Sequence, residues 1–133
     1  FIGATSALVQ KEIKKILAYS TMSHLSIAFV GLGVGSLAAG MLHLMNHAIF
    51  KALLFLAAGA VIYIAHHTKD AWKLGGLIKQ APYVALFMAM GSMSLAGLPP
   101  FSGFFSKDMV LAEAITNGGP FVSIFVTIAG LLS

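Results

Sequence analysis

Three ionisable side chains share one face of an otherwise apolar stretch: His43, His47 and Lys51. They stand at i, i+4 and i+8, within about 80° of one another on a helix that turns about 100° per residue. A charged lysine near the centre of a bilayer costs on the order of 3 kcal/mol, so such residues usually face a bundle interior or a water-filled path. Because the ordinary pKa of histidine is near 6.5, this stripe could transfer protons.

The stripe has two other interpretations. The histidines could be neutral groups that hydrogen-bond neighbouring helices, while Lys51 extends its ammonium group toward the membrane surface. Lys51 stands about midway along its apolar stretch, which counts against this. Histidines four residues apart can also share a metal ion, and transmembrane histidines bind haem in some bundles. A lysine one turn further along opposes the binding of another cation.

A helix interrupted near its middle is predicted for residues 81–116. A straight helix of that length would measure about 54 Å, which is too long for one crossing of the membrane. Glycine and proline interrupt it at 97–101, so we predict one helix broken into two halves. The residues assigned to the break are Gly97, Pro99 and Pro100.

Two charged residues, Lys107 and Asp108, fall in the second half of this broken helix. Broken transmembrane helices are a recurrent means of placing ions at mid-membrane, so both residues are candidates for ion transfer. The other interpretation is that residues 99–108 form an exposed loop between two ordinary spans.

The first full span is polar at one end, where hydroxyl groups surround a histidine. This group could extend a hydrogen-bonded path, although the simpler interpretation is that it holds helices together. The candidate path-lining residues are Ser20, Thr21, Ser23 and His24. Two further histidines, His66 and His67, fall at a predicted membrane edge and are assigned no role.

The composition identifies the bilayer as the solvent of this chain. Of its 133 residues, 59% are hydrophobic and 9% are charged, whereas about a quarter of a soluble domain is charged. The absence of cysteine excludes iron–sulfur ligation and cysteine redox motifs in this segment. The net charge of +4 comes from lysines near predicted membrane helices, where lysines set the orientation of the protein in the membrane. Nucleic-acid binding is therefore not expected.

These observations predict an all-α fold, a polytopic transmembrane helical bundle with one broken helix. The chain begins at Phe1 without a leader pattern, so we expect an internal fragment of a longer protein. The predicted spans are about 1–9 (the tail of a helix), 16–35, 36–65, 81–116 and 120–133 (the start of a further helix).

Charge placement predicts the orientation of these spans. Alternate crossings put the lysine-rich segments 11–15 and 66–80 on one side, and six of the eight lysines then share that side. The turns on the opposite side carry no charge. The positive-inside rule therefore assigns the lysine side to the cytoplasm or its organellar equivalent.

Three groups of residues carry a family resemblance. They are 13–23 (IKKILAYSTMS), then 43–48 (HLMNHA) with 50–56 (FKALLFL), and 97–100 (GLPP) with 103–108 (GFFSKD). Over nearly all its length the chain resembles the antiporter-like subunits of respiratory complex I and their relatives in Mrp-type sodium/proton antiporters and membrane-bound hydrogenases. The Ser-Lys-Asp ending is most similar to the largest, distal subunit of this type.

The resemblance implies a proton-translocating subunit of an NADH-quinone oxidoreductase assembly, coupled to electron transfer elsewhere in the complex. It implies that His43, His47 and Lys51 line a central polar axis, that Lys107 ends the second half-channel, and that Asp108 tunes it or forms its exit. A relay lysine must lower its pKa from about 10.4 toward 7.

The resemblance also implies which cofactors and partners to expect. NADH, FMN, Fe-S clusters and quinone would lie in other subunits, with no cofactor bound by this chain. The partners would be other membrane subunits, the lipid bilayer, and protons with or without Na⁺. The membrane would be a prokaryotic cell membrane, or an organellar inner or thylakoid membrane.

Other classes of protein stay open from the sequence. They are an Mrp-type antiporter or membrane-bound hydrogenase subunit, a haem-binding redox subunit, and a passive membrane anchor. The first half of the antiporter-like fold and its lateral helix are not found in these residues, so this segment is not expected to pump by itself.

Overall fold

A computed structural model of the chain describes residues 2–65 and 68–132. Phe1, His66, His67 and Ser133 lie outside the described residues, so the predicted connector at 66–80 is described from Thr68 onward. The predicted all-α bundle with one broken helix is confirmed for the described part. Its helices are α1 (Ile2–Leu8), α2 (Ile13–Gly33), α3 (Leu37–Ile64), α4 (Leu77–Gln80), α5 (Pro82–Ala96), α6 (Ser102–Asn117) and α7 (Gly119–Leu132), with a 3₁₀ turn at Ala71–Lys73.

Two helices, α2 and α3, are long and apolar enough to cross a membrane. Their 21 and 28 residues correspond to about 31 and 42 Å of helix. They form an antiparallel hairpin, closed by a turn in which Gly35 adopts a left-handed φ of 88°. The hydroxyl of Ser36 caps α3 by accepting a hydrogen bond from the backbone N–H of Ala39.

Small residues let α2 and α3 approach closely near that turn. A Cβ added to Gly31 would lie 3.1 Å from the Cα of Gly40, and one added to Gly40 would lie 3.0 Å from the carbonyl oxygen of Ala28. Close backbone contact of this kind is a common way for membrane helices to associate, because lipid provides no hydrophobic force between them.

The broken helix consists of α5 and α6, with 15 and 16 residues. Gly97 ends α5 in the left-handed conformation, with φ 74°, and α6 begins at Ser102. The start of α5 lies near the groove that Gln80 forms with Thr68 at one end of the bundle. The end of α6 lies at the other end, where Asn117 lines a cavity with Gly33. The two halves together therefore run from one end of the bundle to the other.

Each half packs in its own hydrophobic core. The first core joins the start of α2 to the second half of α3, and Met88 and Leu95 of α5 pack against it. Its buried residues are Ile13, Leu17, Leu54, Ala58 and Ile62. Around α6, the second core joins α2, α3 and α7 through Ile27, Ala39, Val110, Ala114 and Val126.

The two lysine-rich segments lie side by side. Glu12 and Asp70 form an antiparallel β-bridge. The N–H of Ile13 donates to the carbonyl of Lys69 at 3.1 Å, and the N–H of Ala71 donates to that of Lys11 at 2.8 Å. Both segments are thus at the same end of the bundle.

Large apolar side chains cover much of the outer surface. Examples are Phe29, Leu56 and Leu131, which are 67%, 75% and 83% exposed. A soluble monomer rarely exposes so much contiguous apolar surface, whereas lipid tails or neighbouring membrane helices cover it without cost.

Candidate functional site

The predicted polar stripe lies on the face of α3 that points into the bundle. His43, His47 and Lys51 are buried, with exposed fractions of 0%, 5% and 4%. The apolar side chains of α3 at Leu44 and Leu56 point outward instead. The stripe therefore faces other helices and not lipid.

The ammonium group of Lys51 is held by α2. Its Nζ donates a hydrogen bond to the carbonyl of Leu17 at 3.0 Å and another to the hydroxyl of Ser20. The hydroxyls of Ser20 and Thr21 donate to the same carbonyl at 3.1 and 2.8 Å. Lys51 consequently does not extend to the membrane surface.

The fully buried His24 of α2 joins the two histidines of α3. Its ring centroid lies 5.4 Å from that of His43, with an interplanar angle of 18°, and 5.4 Å from that of His47, with an angle of 27°. Its Nδ1 is 3.4 Å from the Nε2 of His43. His24 holds α2 against α3, as the simpler interpretation states, and it also makes the three imidazoles one continuous stack.

The stack continues onto the broken helix through Ser106. The hydroxyl of this fully buried residue lies 3.1 Å from the Nδ1 of His43 and 3.3 Å from the carbonyl of Gly103. We did not identify Ser106 as a site residue from the sequence. The feature of the sequence that could have indicated Ser106 is its position directly before Lys107 in the segment 103–108.

Lys107 belongs to the second turn of α6, so residues 99–108 are not an exposed loop between ordinary spans. Its side chain lies along the helix break, since a Cβ added to Gly97 would be 3.2 Å from the Cδ of Lys107 and 3.7 Å from its Nζ. Asp108 is exposed. Both residues line a cavity of about 230 Å³ that also meets Ile27 and Thr127.

Four buried polar atoms on or beside this row have no hydrogen-bond partner within the described part of the chain. They are Ser23 Oγ, His24 Nε2, His47 Nε2 and Lys107 Nζ. Buried polar groups in proteins are nearly always hydrogen-bonded, and leaving one unsatisfied costs about 1–3 kcal/mol. Three of these atoms belong to His24, His47 and Lys107, the ionisable residues described above.

The geometry suits proton transfer better than ligation of a metal. No group of three or more His, Cys, Asp or Glu side chains in residues 2–65 and 68–132 is arranged to hold a metal ion. The three imidazoles stack on one another. One nitrogen of His43 lies beside His24 and the other beside the hydroxyl of Ser106, positions at which each ring can donate or accept a hydrogen bond.

The whole chain, residues 1–133, matches a family model described as "NADH:quinone oxidoreductase/Mrp antiporter, TM". The chain is 49% identical over 132 residues to "NADH-quinone oxidoreductase subunit L" of Escherichia coli (strain K12), which covers 98% of this chain and 21% of that protein. The chain thus spans about a fifth of the length of this relative.

Solved structures show the same fold. A chain of the Mrp complex from Dietzia sp. DQ12-45-1b superposes with a TM-score of 0.92 at 32% identity, over 99% of this chain and 25% of that one. A chain of the membrane-bound sulfane sulfur reductase, an archaeal respiratory membrane complex, superposes with a TM-score of 0.88 at 29% identity, over 98% and 27%. These relatives are parts of membrane complexes.

Proposed function

Because the chain belongs to the transmembrane family shared by NADH:quinone oxidoreductases and Mrp antiporters, we propose that it conducts protons within a membrane complex of the NADH-quinone oxidoreductase type. The energy would come from electron transfer elsewhere in that complex. The proposed path runs through Lys51, His47, His24, His43, Ser106 and Lys107, with Asp108 at its outlet.

The observation that carries this proposal is the row of buried polar groups inside an apolar bundle, from Lys51 through the three histidines to Ser106 and Lys107. Two lysines at membrane depth are costly, so they are expected where they perform transport. The row also crosses from the α2–α3 hairpin to the broken helix through the contact of His43 with Ser106. A passive anchor needs neither feature.

The chemistry follows from the groups in the row. A neutral imidazole accepts a proton at one nitrogen and releases one from the other, so the three rings can relay a proton between the two lysines. The hydroxyl of Ser106 can accept and donate in the same way. We propose that ordered water completes the gaps at His47 and Lys107, whose nitrogens are without a partner among the described residues.

Coupling to electron transfer is electrostatic in this proposal. A change of charge beside either lysine alters how readily that lysine keeps its proton, because charges interact strongly at low dielectric constant. The redox cofactors would lie in other subunits. The neighbours would be other membrane subunits and lipid, and the lysine-rich end would face the cytoplasm or its organellar equivalent.

The test measures the rate of proton pumping and the rate of electron transfer in vesicles that carry the full-length protein with Lys107→Ala in its assembled complex. We expect pumping and coupled electron transfer to fall together, by at least tenfold, and Asp108→Asn to cause a smaller loss because Asp108 is exposed. Lys79→Ala is the matched control, since Lys79 is an exposed lysine of the connector. Normal pumping by the Lys107 variant would reject the proposed path.

The likeness to the Mrp complex favours one second candidate, a sodium/proton exchanger. The same vesicles distinguish the two functions. Sodium uptake that depends on Lys107 and on an imposed pH gradient would support exchange. Pumping that is unchanged in sodium-free buffer would support proton transport alone.

A further inference from the structure

Two different sets of acceptors are available to Lys51. In the structure its Nζ bonds to α2, at the carbonyl of Leu17 and the hydroxyl of Ser20. All the groups of this contact are buried: Ser20 is 6% exposed and Lys51 is 4% exposed. An ammonium has three donors, so two of them are engaged by α2.

The second acceptor lies on α3 itself. His47 is one turn before Lys51, and its buried Nε2 has no hydrogen-bond partner among the described residues. Side chains on a helix lean toward its N-terminus and over the residue four positions earlier. His47 is therefore placed where the side chain of Lys51 can reach it when its terminal nitrogen leaves α2.

We propose that Ser20 is a positioning residue that holds protonated Lys51 on α2, and that Lys51 leaves Ser20 in order to exchange a proton with His47. This inference rests on the proposed function. The step moves one proton from the Nζ ammonium to the Nε2 of neutral His47, and it leaves a neutral amine and an imidazolium. No electrons are transferred.

Ser20 is suited to this task because a hydroxyl both accepts and donates. It accepts a hydrogen bond from the ammonium, and it can donate one to the lone pair of the neutral amine when Lys51 returns. The first contact is charge-assisted and roughly twice as strong as a neutral one. Ser20 therefore favours the protonated lysine over the neutral lysine.

The experiment compares Ser20→Ala with Ser20→Thr in the full-length protein in its complex, by recording the rate of proton pumping against pH. Without the hydroxyl, the ammonium forms only at lower pH, so the alkaline limb of the profile should shift by about one pH unit toward acid, a tenfold change in proton concentration. Ser20→Thr keeps the hydroxyl and should restore the limb.

The matched control is Ser26→Ala on the same helix. Ser26 is exposed, and within the described part of the chain its hydroxyl bonds only to the carbonyl of Met22, at 2.8 Å, so its removal should leave the profile unchanged. Loss of pumping at every pH, with an unshifted limb in Ser20→Ala, would show that Ser20 is merely structural and would overturn the inference. An unaltered profile would overturn it too.

Lys51→Met separates this inference from the proposed function. If Lys51→Met stops pumping while Ser20→Ala leaves the alkaline limb in place, the path stands and only the role of Ser20 fails. If Lys51→Met pumps normally, both the path and the role of Ser20 fail.

Discussion

The contact between Gly103 and Ser94 should control the position of the whole second half of the broken helix. Gly103 lies in the first turn of α6, and a Cβ added there would overlap the backbone carbonyl oxygen of Ser94 in α5. A backbone oxygen cannot rotate away as a flexible side chain can. The substitution Gly103→Ala must therefore push α6 away from α5.

The size of that displacement follows from the coordinates. The added Cβ would lie 2.9 Å from the carbonyl carbon of Ser94, whereas ordinary contact begins at 3.4 Å. The difference of 0.5 Å is a lower limit, because the oxygen is closer still. The contact between Ser106 Oγ and His43 Nδ1 measures 3.1 Å, and a shift of 0.5 Å directed away from α3 would lengthen it to 3.6 Å, at which a hydrogen bond no longer exists.

Two measurable losses should result from Gly103→Ala. Overpacking of this kind costs about 1–3 kcal/mol of stability, and a misplacement near 1 Å can slow a positioned reaction by about 100-fold. We expect an assembled complex with a lowered thermal midpoint and at least tenfold slower proton pumping.

The control is Gly59→Ala in α3, because a Cβ at Gly59 meets nothing within 4 Å. That variant should be neutral or slightly stabilising, since alanine favours a helix over glycine by about 0.5–1 kcal/mol. If Gly103→Ala pumps as well as Gly59→Ala, the close α5–α6 contact does not set the geometry of the path.

Two further predictions concern neighbouring contacts. Ser106→Ala removes the hydroxyl between His43 and α6, so pumping should slow by roughly tenfold. That factor is equivalent to one hydrogen bond of about 1–1.5 kcal/mol. An unchanged rate in the same vesicle assay would remove Ser106 from the path. Gly40→Ala places a Cβ 2.6 Å from Leu32 Cγ and 3.0 Å from the carbonyl oxygen of Ala28. We therefore expect the variant to lose about 1–3 kcal/mol of stability, measured as a lower thermal midpoint. A midpoint equal to that of Gly59→Ala would contradict this prediction.

Long apolar helices can be predicted from a sequence because membrane spans follow simple length and hydropathy rules. The interruption between α5 and α6 was predicted from glycine and prolines alone. The start of α2 differs by three residues from the predicted span at 16–35, since the charged Lys14 and Lys15 lower hydropathy without ending the helix. Backbone pairing decides that limit, through the bond from Ile13 to Lys69.

The site could be predicted only where it lies on one element. Residues of α3 form a stripe whose period is visible in the sequence, so its inward face was expected. The roles of His24 and Ser106 depend on which faces of α2 and α6 meet α3, and no local pattern encodes that choice. A single serine or histidine in an apolar helix most often only joins helices.

In the proposed relay, the stacked imidazoles would need a recovery step after each transfer. A ring that takes a proton at one nitrogen and gives one up at the other is left as the opposite tautomer, and it must turn over before it can carry the next proton the same way. His43 has neighbours at both nitrogens, His24 and Ser106, whereas His24 and His47 each keep one nitrogen without a partner within the described residues. Ring turnover at His43 must break two contacts, so the pace of repeated cycles would be set by how fast this ring resets.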